Sequence, residues 1–150
     1  MQCIPVNMHG TAVSIVGEGV LIVGASGSGK SDLALRLIDR GAILISDDRV
    51  IVEFVEGKPF LRTAPNIENL IEMRGIGIVT MPSVTGIKLR LVIDLEAKVP
   101  RFIDTFASYD LAGFVVPCVA LAAFEASATI KVEQALKSVV DQSGVIMAKA

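Results

Sequence analysis

The chain has little that would tie it to a nucleic acid, a lipid surface or a metal cluster. Its 14 Lys and Arg face 16 Asp and Glu, and no basic cluster stands out, so neither nucleic acid nor an anionic membrane finds an electrostatic footprint. The two cysteines, Cys3 and Cys118, are isolated and lack C-x-x-C spacing. That pattern argues against a disulfide framework or a thiolate metal site and reads as a reduced, cytoplasmic protein. The N-terminus lacks the basic start and apolar run of a signal peptide. The longest apolar stretch, Ala112 to Phe124, contains Pro117 and falls short of the roughly 20 residues a membrane span takes. There is no internal repeat and no linker.

What is present is a large apolar fraction, 52% of 150 residues. The length fits one domain over 1–150 with an ample core. So apolar a chain predicts a sheet covered on both faces, and some surface buried between copies in a homo-oligomer.

The most informative stretch is Gly24-Ala25-Ser26-Gly27-Ser28-Gly29-Lys30-Ser31, which is G-x-x-x-x-G-K-[ST], the phosphate-binding P-loop. Glycines let successive backbone N–H groups converge on one anion. Lys30 has the reach to touch the β- and γ-phosphates of a nucleotide, and the Ser31 hydroxyl can bind Mg²⁺. The flanks agree. Gly19 to Val23 reads as a buried strand, and Ser31 to Arg40 as a helix with Leu33, Leu37 and Ile38 on one face and Gly41 after its end. A helix N-terminus following a strand favours phosphate through its free N–H groups and dipole.

Thr11 to Val16 and Val20 to Val23 predict a strand pair around Gly17-Glu18-Gly19. Ala42 to Ser46 is a short strand. Val50 to Val55 and Pro59 to Arg62 flank Glu56-Gly57-Lys58 as a second hairpin. Pro65-Asn66 predicts a short helix to about Met73, with Asn66 as its cap. Arg74 to Ile78 reads as a glycine-broken loop, and Ile87 to Leu95 as a strand with one exposed side. Ala97 to Ala112 reads as loop, Phe114 to Leu121 as a strand weakened by Pro117, and Ser127 to Asp141 as an amphipathic helix ended by Ser143-Gly144. Hairpins near the front and a single clear strand–helix unit predict an α/β domain with a mixed sheet, not a standard doubly wound fold.

Asp47-Asp48 closes the strand after the P-loop helix, the end of an α/β sheet where ligands bind. One carboxylate there can approach Mg²⁺ or its water shell while the other takes a proton from an attacking hydroxyl. A polar turn is the plainer alternative. Glu72 can complete a magnesium shell and Arg74 can stabilise a phosphoryl group in transfer, or both are solvated charges. His9, the only histidine, gains interest because Gly10 and the following strand pair can return it to the P-loop. Arg101, taken alone, is a solvated charge.

Met8-His9-Gly10, the P-loop, Leu44-Ile45-Ser46-Asp47-Asp48 and Ile71-Glu72-Met73-Arg74-Gly75-Ile76-Gly77-Ile78 resemble, in order and spacing, the motifs of HPr kinase/phosphorylase. The last of these segments discriminates best, since P-loops alone are widespread. The resemblance covers residues 1 to about 95 well and the remainder loosely. It implies a catalytic core similar to that of phosphoenolpyruvate carboxykinase. It implies ATP- and Mg²⁺-dependent phosphorylation of a serine on HPr, a phosphocarrier of a phosphotransferase system, with removal of that phosphate by phosphorolysis. Hexamers are common in the family. By position, the resemblance makes His9 an active-site histidine, Lys30 the loop lysine, Ser31 and Glu72 magnesium ligands, Asp48 the proton acceptor, and Arg101 a further catalytic arginine. Arg74 lies in the segment from Ile71 to Thr80 that serves both directions.

Three departures qualify it. The chain begins almost at the catalytic domain, as in the short forms. It is brief between Gly77 and Ile87. The basic phosphorolysis segment is replaced around Val119 to Ser127 by a stretch without arginine, so the resemblance implies the kinase and leaves the phosphorylase open. A small-molecule kinase or phosphatase on the same scaffold, a nucleotide-binding regulator and a P-loop relic remain as other readings.

Overall fold

The computed structural model describes residues 4–141. Eleven strands and two helices follow in the order β1 (Val6–His9), β2 (Thr11–Ile15), β3 (Glu18–Val23), α1 (Lys30–Asp39), β4 (Ile43–Ser46), β5 (Arg49–Val55), β6 (Lys58–Thr63), β7 (Leu70–Met73), β8 (Gly77–Thr80), β9 (Ile87–Asp94), β10 (Ala107–Leu111), β11 (Phe114–Ala120) and α2 (Ala128–Asp141). The main sheet runs β1-β5-β6-β9-β3-β2-β4, with β11 on β9 and β10 on β11, while β7 and β8 pair separately. It is mixed: β3 and β11 run parallel to β9, and the other pairings are antiparallel. The predicted α/β class and mixed sheet are therefore what the chain adopts.

Three hairpins close on two-residue turns in which both residues have positive φ: Val16-Gly17, Glu56-Gly57 and Ala112-Gly113. Such turns match the right-handed twist of the strands they join. The two hairpins predicted from glycine are thus present.

Period-two alternation sorts the strands into two cores. Val20 and Ile22 of β3, with Leu91 and Ile93 of β9, pack under α1 and α2 against Leu33, Leu37, Val132 and Leu136. Leu21, Val23 and Val92 face the other way, against Val50, Val52, Leu61 and Val116. Burial on both faces makes β3 an unbroken apolar run. Each fully buried Leu or Ile contributes about 1.5–3 kcal/mol. Gly19 is required where β3 crosses β9, since a Cβ there would lie 2.5 Å from the Lys88 carbonyl oxygen.

Four expectations need correction. Residues 66–73 form no helix: Asn66 and Asn69 take left-handed φ of 71° and 64°, unlike the β-region backbone of a cap, and Leu70–Met73 is a strand. Arg74 to Ile78 is the turn and start of the β7–β8 hairpin, closed by Ile76 N–H on the Met73 carbonyl at 2.9 Å. Strand β9 has no open side. Its polar positions are only partly exposed, and Arg90 pairs with Glu18 at 2.9 Å. Within 97–112, residues 107–111 form β10, paired with β11 along its length. Pro117 is tolerated because β11 pairs with β9 only from Cys118 onward. Helix α2 is as expected, whereas Cys3 and the Ser143-Gly144 stop lie outside the described residues. Among the described residues no helix is long and apolar enough to cross a membrane.

Candidate active site

The P-loop joins β3 to α1. Gly29 caps the helix with φ 101° and offers no side chain to its first turn, whose N–H groups therefore face the loop. The close fit also demands glycine: a Cβ at Gly29 would sit 2.8 Å from the Phe124 ring and 2.9 Å from Ala123 Cβ. Lys30 is buried and bridges the loop, donating to the Gly24 and Ala25 carbonyls at 2.8 and 2.9 Å. From outside, the Glu96 carboxylate accepts the Ala25 N–H at 2.9 Å. Inside the loop, Ser28 Oγ is buried without a hydrogen-bond partner among the described residues.

Asp47 ties the loop to two strands. It is 7% exposed. Its Oδ1 accepts Ser31 Oγ at 2.6 Å and Thr11 Oγ1 at 3.0 Å, and its Oδ2 accepts the Glu72 N–H at 3.0 Å. Asp48 points outward, with a side chain 68% exposed and φ 71°. His9 Nε2 lies 3.9 Å from Asp48 Oδ1. That contact exists because β1 pairs with β5 in a register that sets His9 opposite Arg49, next to Asp48.

A cleft of about 390 Å³ opens in front of the loop. Ser26, Gly27, Gly29, Lys30 and Ser31 form one wall, and Glu72, Met73, Arg74 and Ile76 of the β7–β8 hairpin the other. Asp32, Leu35, Asp48 and Phe124 complete it. The cleft thus gathers Lys30, Ser31, Asp48, Glu72 and Arg74 from the predicted site. Asp47 lies behind Ser31, and His9 beside Asp48. Arg101 is exposed between β9 and β10 and does not line the cleft. Sequence reasoning missed Thr11, Glu96 and Phe124, which are far from the P-loop in sequence and belong to no motif.

Among the described residues no three His, Cys, Asp or Glu side chains form a ready-made metal cluster. Magnesium asks for less: one or two protein oxygens beside phosphate and water. Ser31 Oγ and Glu72 supply hard oxygen donors at the cleft wall, so the donor set fits that ion.

Compared with known proteins, residues 3–109 match the family described as the HPr Serine kinase C-terminal domain. The HPr kinase/phosphorylase of Mycoplasmopsis pulmonis is 49% identical over 83 residues, covering 55% of this chain and 27% of that protein. That of Caldicellulosiruptor bescii is 44% identical over 99 residues, covering 61% and 32%. That of Limosilactobacillus reuteri is 38% identical over 128 residues, covering 77% and 40%. The matches thus span between 27% and 40% of these relatives' length. The solved structure of the Hpr(Ser) kinase/phosphatase from Coxiella burnetii superposes with a TM-score of 0.76 at 23% identity, covering 87% of this chain and 88% of that one, a likeness of fold.

Proposed function

The chain belongs to the HPr serine kinase C-terminal domain family, and on that premise we propose that it is an ATP-dependent protein serine kinase whose acceptor is an HPr-type phosphocarrier. The observation that carries the reading is the meeting of Lys30, Ser31, Asp48, Glu72 and Arg74 around one cleft at a helix N-terminus.

The loop amides and Lys30 hold the nucleotide phosphates. Magnesium, bound by Ser31 Oγ and Glu72 with Asp47 acting through Ser31, would neutralise charge on the phosphates. Asp48 takes the proton from the acceptor serine Oγ as that oxygen bonds to the γ-phosphorus and the bond to the β-phosphate oxygen breaks. Its exposure suits an acceptor that arrives on another protein. His9 stands where it can stabilise the Asp48 carboxylate. Arg74, on the facing wall, stabilises charge on the phosphoryl group in transfer. Positioning and charge neutralisation supply most of the rate. Arg101 does not line the cleft and carries no step of this scheme. The reading also takes residues 1–150 as one catalytic unit, a cytoplasmic location, and a homo-oligomer, with a hexamer the state the resemblance implies.

The test is transfer of labelled γ-phosphate from Mg²⁺-ATP to the carrier protein of the same cell, with Asp48→Asn as control. Serine-linked label that the control loses is expected. Full transfer by Asp48→Asn would remove Asp48 from its role, and no transfer despite ATP binding would favour a nucleotide-binding regulator. Serine-phosphorylated carrier incubated with inorganic phosphate decides the reverse reaction.

A further inference from the structure

Thr11 gives one hydroxyl to two adjacent acids. Its Oγ1 donates to Asp47 Oδ1 at 3.0 Å and accepts the Asp48 N–H at 3.2 Å. A hydroxyl has one proton and two lone pairs, so both bonds form together. Thr11 is fully buried, so water does not replace either partner. The neighbouring Gly10 N–H donates to the Asp48 carbonyl at 3.0 Å. The junction of β1 and β2 therefore grips the Asp48 residue from its N–H and its C=O at once.

That grip has a conformational object. Asp48 sits at φ 71°, a left-handed backbone that is uncommon for residues with a Cβ and that Asp tolerates better than most. Rotation about φ swings the Cα–Cβ bond, and with it the carboxylate that lines the cleft. Losing the hydroxyl would free the Asp48 N–H and remove one of the donors that fix Asp47.

We infer that Thr11 is a positioning residue: its buried hydroxyl holds the Asp48 backbone in the conformation that presents the carboxylate to the cleft, and locks it to the acid that binds Ser31. Its effect on rate rests on the kinase reading above. Its effect on the Asp48 backbone does not.

Thr11→Val keeps the shape and removes both bonds, whereas Thr11→Ser keeps the hydroxyl. In carrier phosphorylation, Thr11→Val is expected to lower kcat about 10- to 100-fold, since small misplacements of a reacting group cost that much. The KM for ATP should change less than kcat, because Lys30, the loop amides and the Ser31–Asp47 bond remain. Thr11→Ser should recover most of the rate. Amide hydrogen exchange, followed by NMR without nucleotide, should show a protected Asp48 N–H in the wild type and in Thr11→Ser, and loss of protection in Thr11→Val. A folded Thr11→Val with unchanged kcat and unchanged Asp48 protection overturns the inference, as does Thr11→Ser as slow as Thr11→Val. Should Thr11→Val not fold, rapid exchange of Asp48 in the wild type overturns it alone. A wild type that phosphorylates no carrier refutes the kinase reading and leaves the exchange measurement to decide the role of Thr11.

Discussion

Ser31 donates its hydroxyl to Asp47 at 2.6 Å, joining the first turn of α1 to the strand end that follows the helix. With its proton committed inward, the Ser31 oxygen turns its remaining lone-pair capacity to the cleft, as a cation ligand must. The bond orients a ligand while Asp47 itself stays out of the cleft lining.

Asp47→Asn is expected to disrupt both functions of this residue. Asp47 accepts three hydrogen bonds, and an amide must present an N–H to at least one of those donors. Chemical denaturation should show a loss of about 1–3 kcal/mol. Calorimetric titration with Mg²⁺-ATP should show weaker binding that added magnesium partly restores. Unchanged magnesium dependence would separate Asp47 from the metal.

Gly29→Ala should cripple nucleotide binding for two separable reasons. The φ of 101° strains any residue with a Cβ, at about 1–3 kcal/mol, and the new methyl meets Phe124 and Ala123. Phe124 is 70% exposed, so Phe124→Ala should be tolerated and should relieve only the ring contact. The double variant is expected to bind nucleotide better than Gly29→Ala and worse than the wild type. Full recovery would place the whole defect in the ring contact.

The Glu96 carboxylate holds the loop at Ala25 while adding negative charge near a phosphate site. Glu96→Gln keeps an acceptor oxygen and removes the charge, so ATP should bind at least as tightly. Glu96→Ala also loses the bond, worth about 1 kcal/mol, and should bind ATP more weakly than Glu96→Gln. The reverse order in a titration would mean that charge alone matters there.

Cys118 gives an alkaline signature. Burial first, and the nearby Asp94 second, push its thiol up to about 11. The unfolded thiol ionises near its ordinary value, about 8.5. The neutral buried thiol therefore contributes its full stability below that pH, and the contribution falls as pH rises towards 11, because the unfolded chain loses its proton first. Tyr109, also raised by burial and Asp94, acts in the same direction at higher pH. Urea denaturation between pH 8 and 10.5 should show a decline that Cys118→Ala reduces. An equal slope in both proteins would exclude the thiol.

The parts legible in the sequence were local. The P-loop, α1 and the hairpins at Val16-Gly17 and Glu56-Gly57 announce themselves within a few residues, because turn chemistry and apolar spacing act at short range. The β7–β8 hairpin was hidden because Pro65-Asn66 imitates a helix start, and only the left-handed Asn66 and Asn69 reveal a turn. Lys88 and Arg90 made β9 look half exposed, although both are partly buried and Glu18 meets Arg90. Thr11 reaches Asp47 across 36 residues, and Glu72 reaches it across 25. No local pattern encodes such pairings. The motifs supplied most of the residues that line the cleft, and the tertiary fold supplied Phe124 and the residues that hold them.

Strand β9 carries a consequence for the order of assembly. It flanks β3 in parallel, the Leu95 N–H closes on the Val23 carbonyl at 3.0 Å, and Glu96 holds Ala25 across a separation of 71 residues. A nascent chain that has displayed only residues up to 86 carries every P-loop residue and lacks the strand that frames them. Because a parallel partner so distant in sequence joins late, the nucleotide site should mature late in synthesis. Ribosome-arrested chains are expected to retain an ATP analogue only once residue 96 has cleared the exit tunnel, and retention by shorter chains would show that the loop assembles without β9.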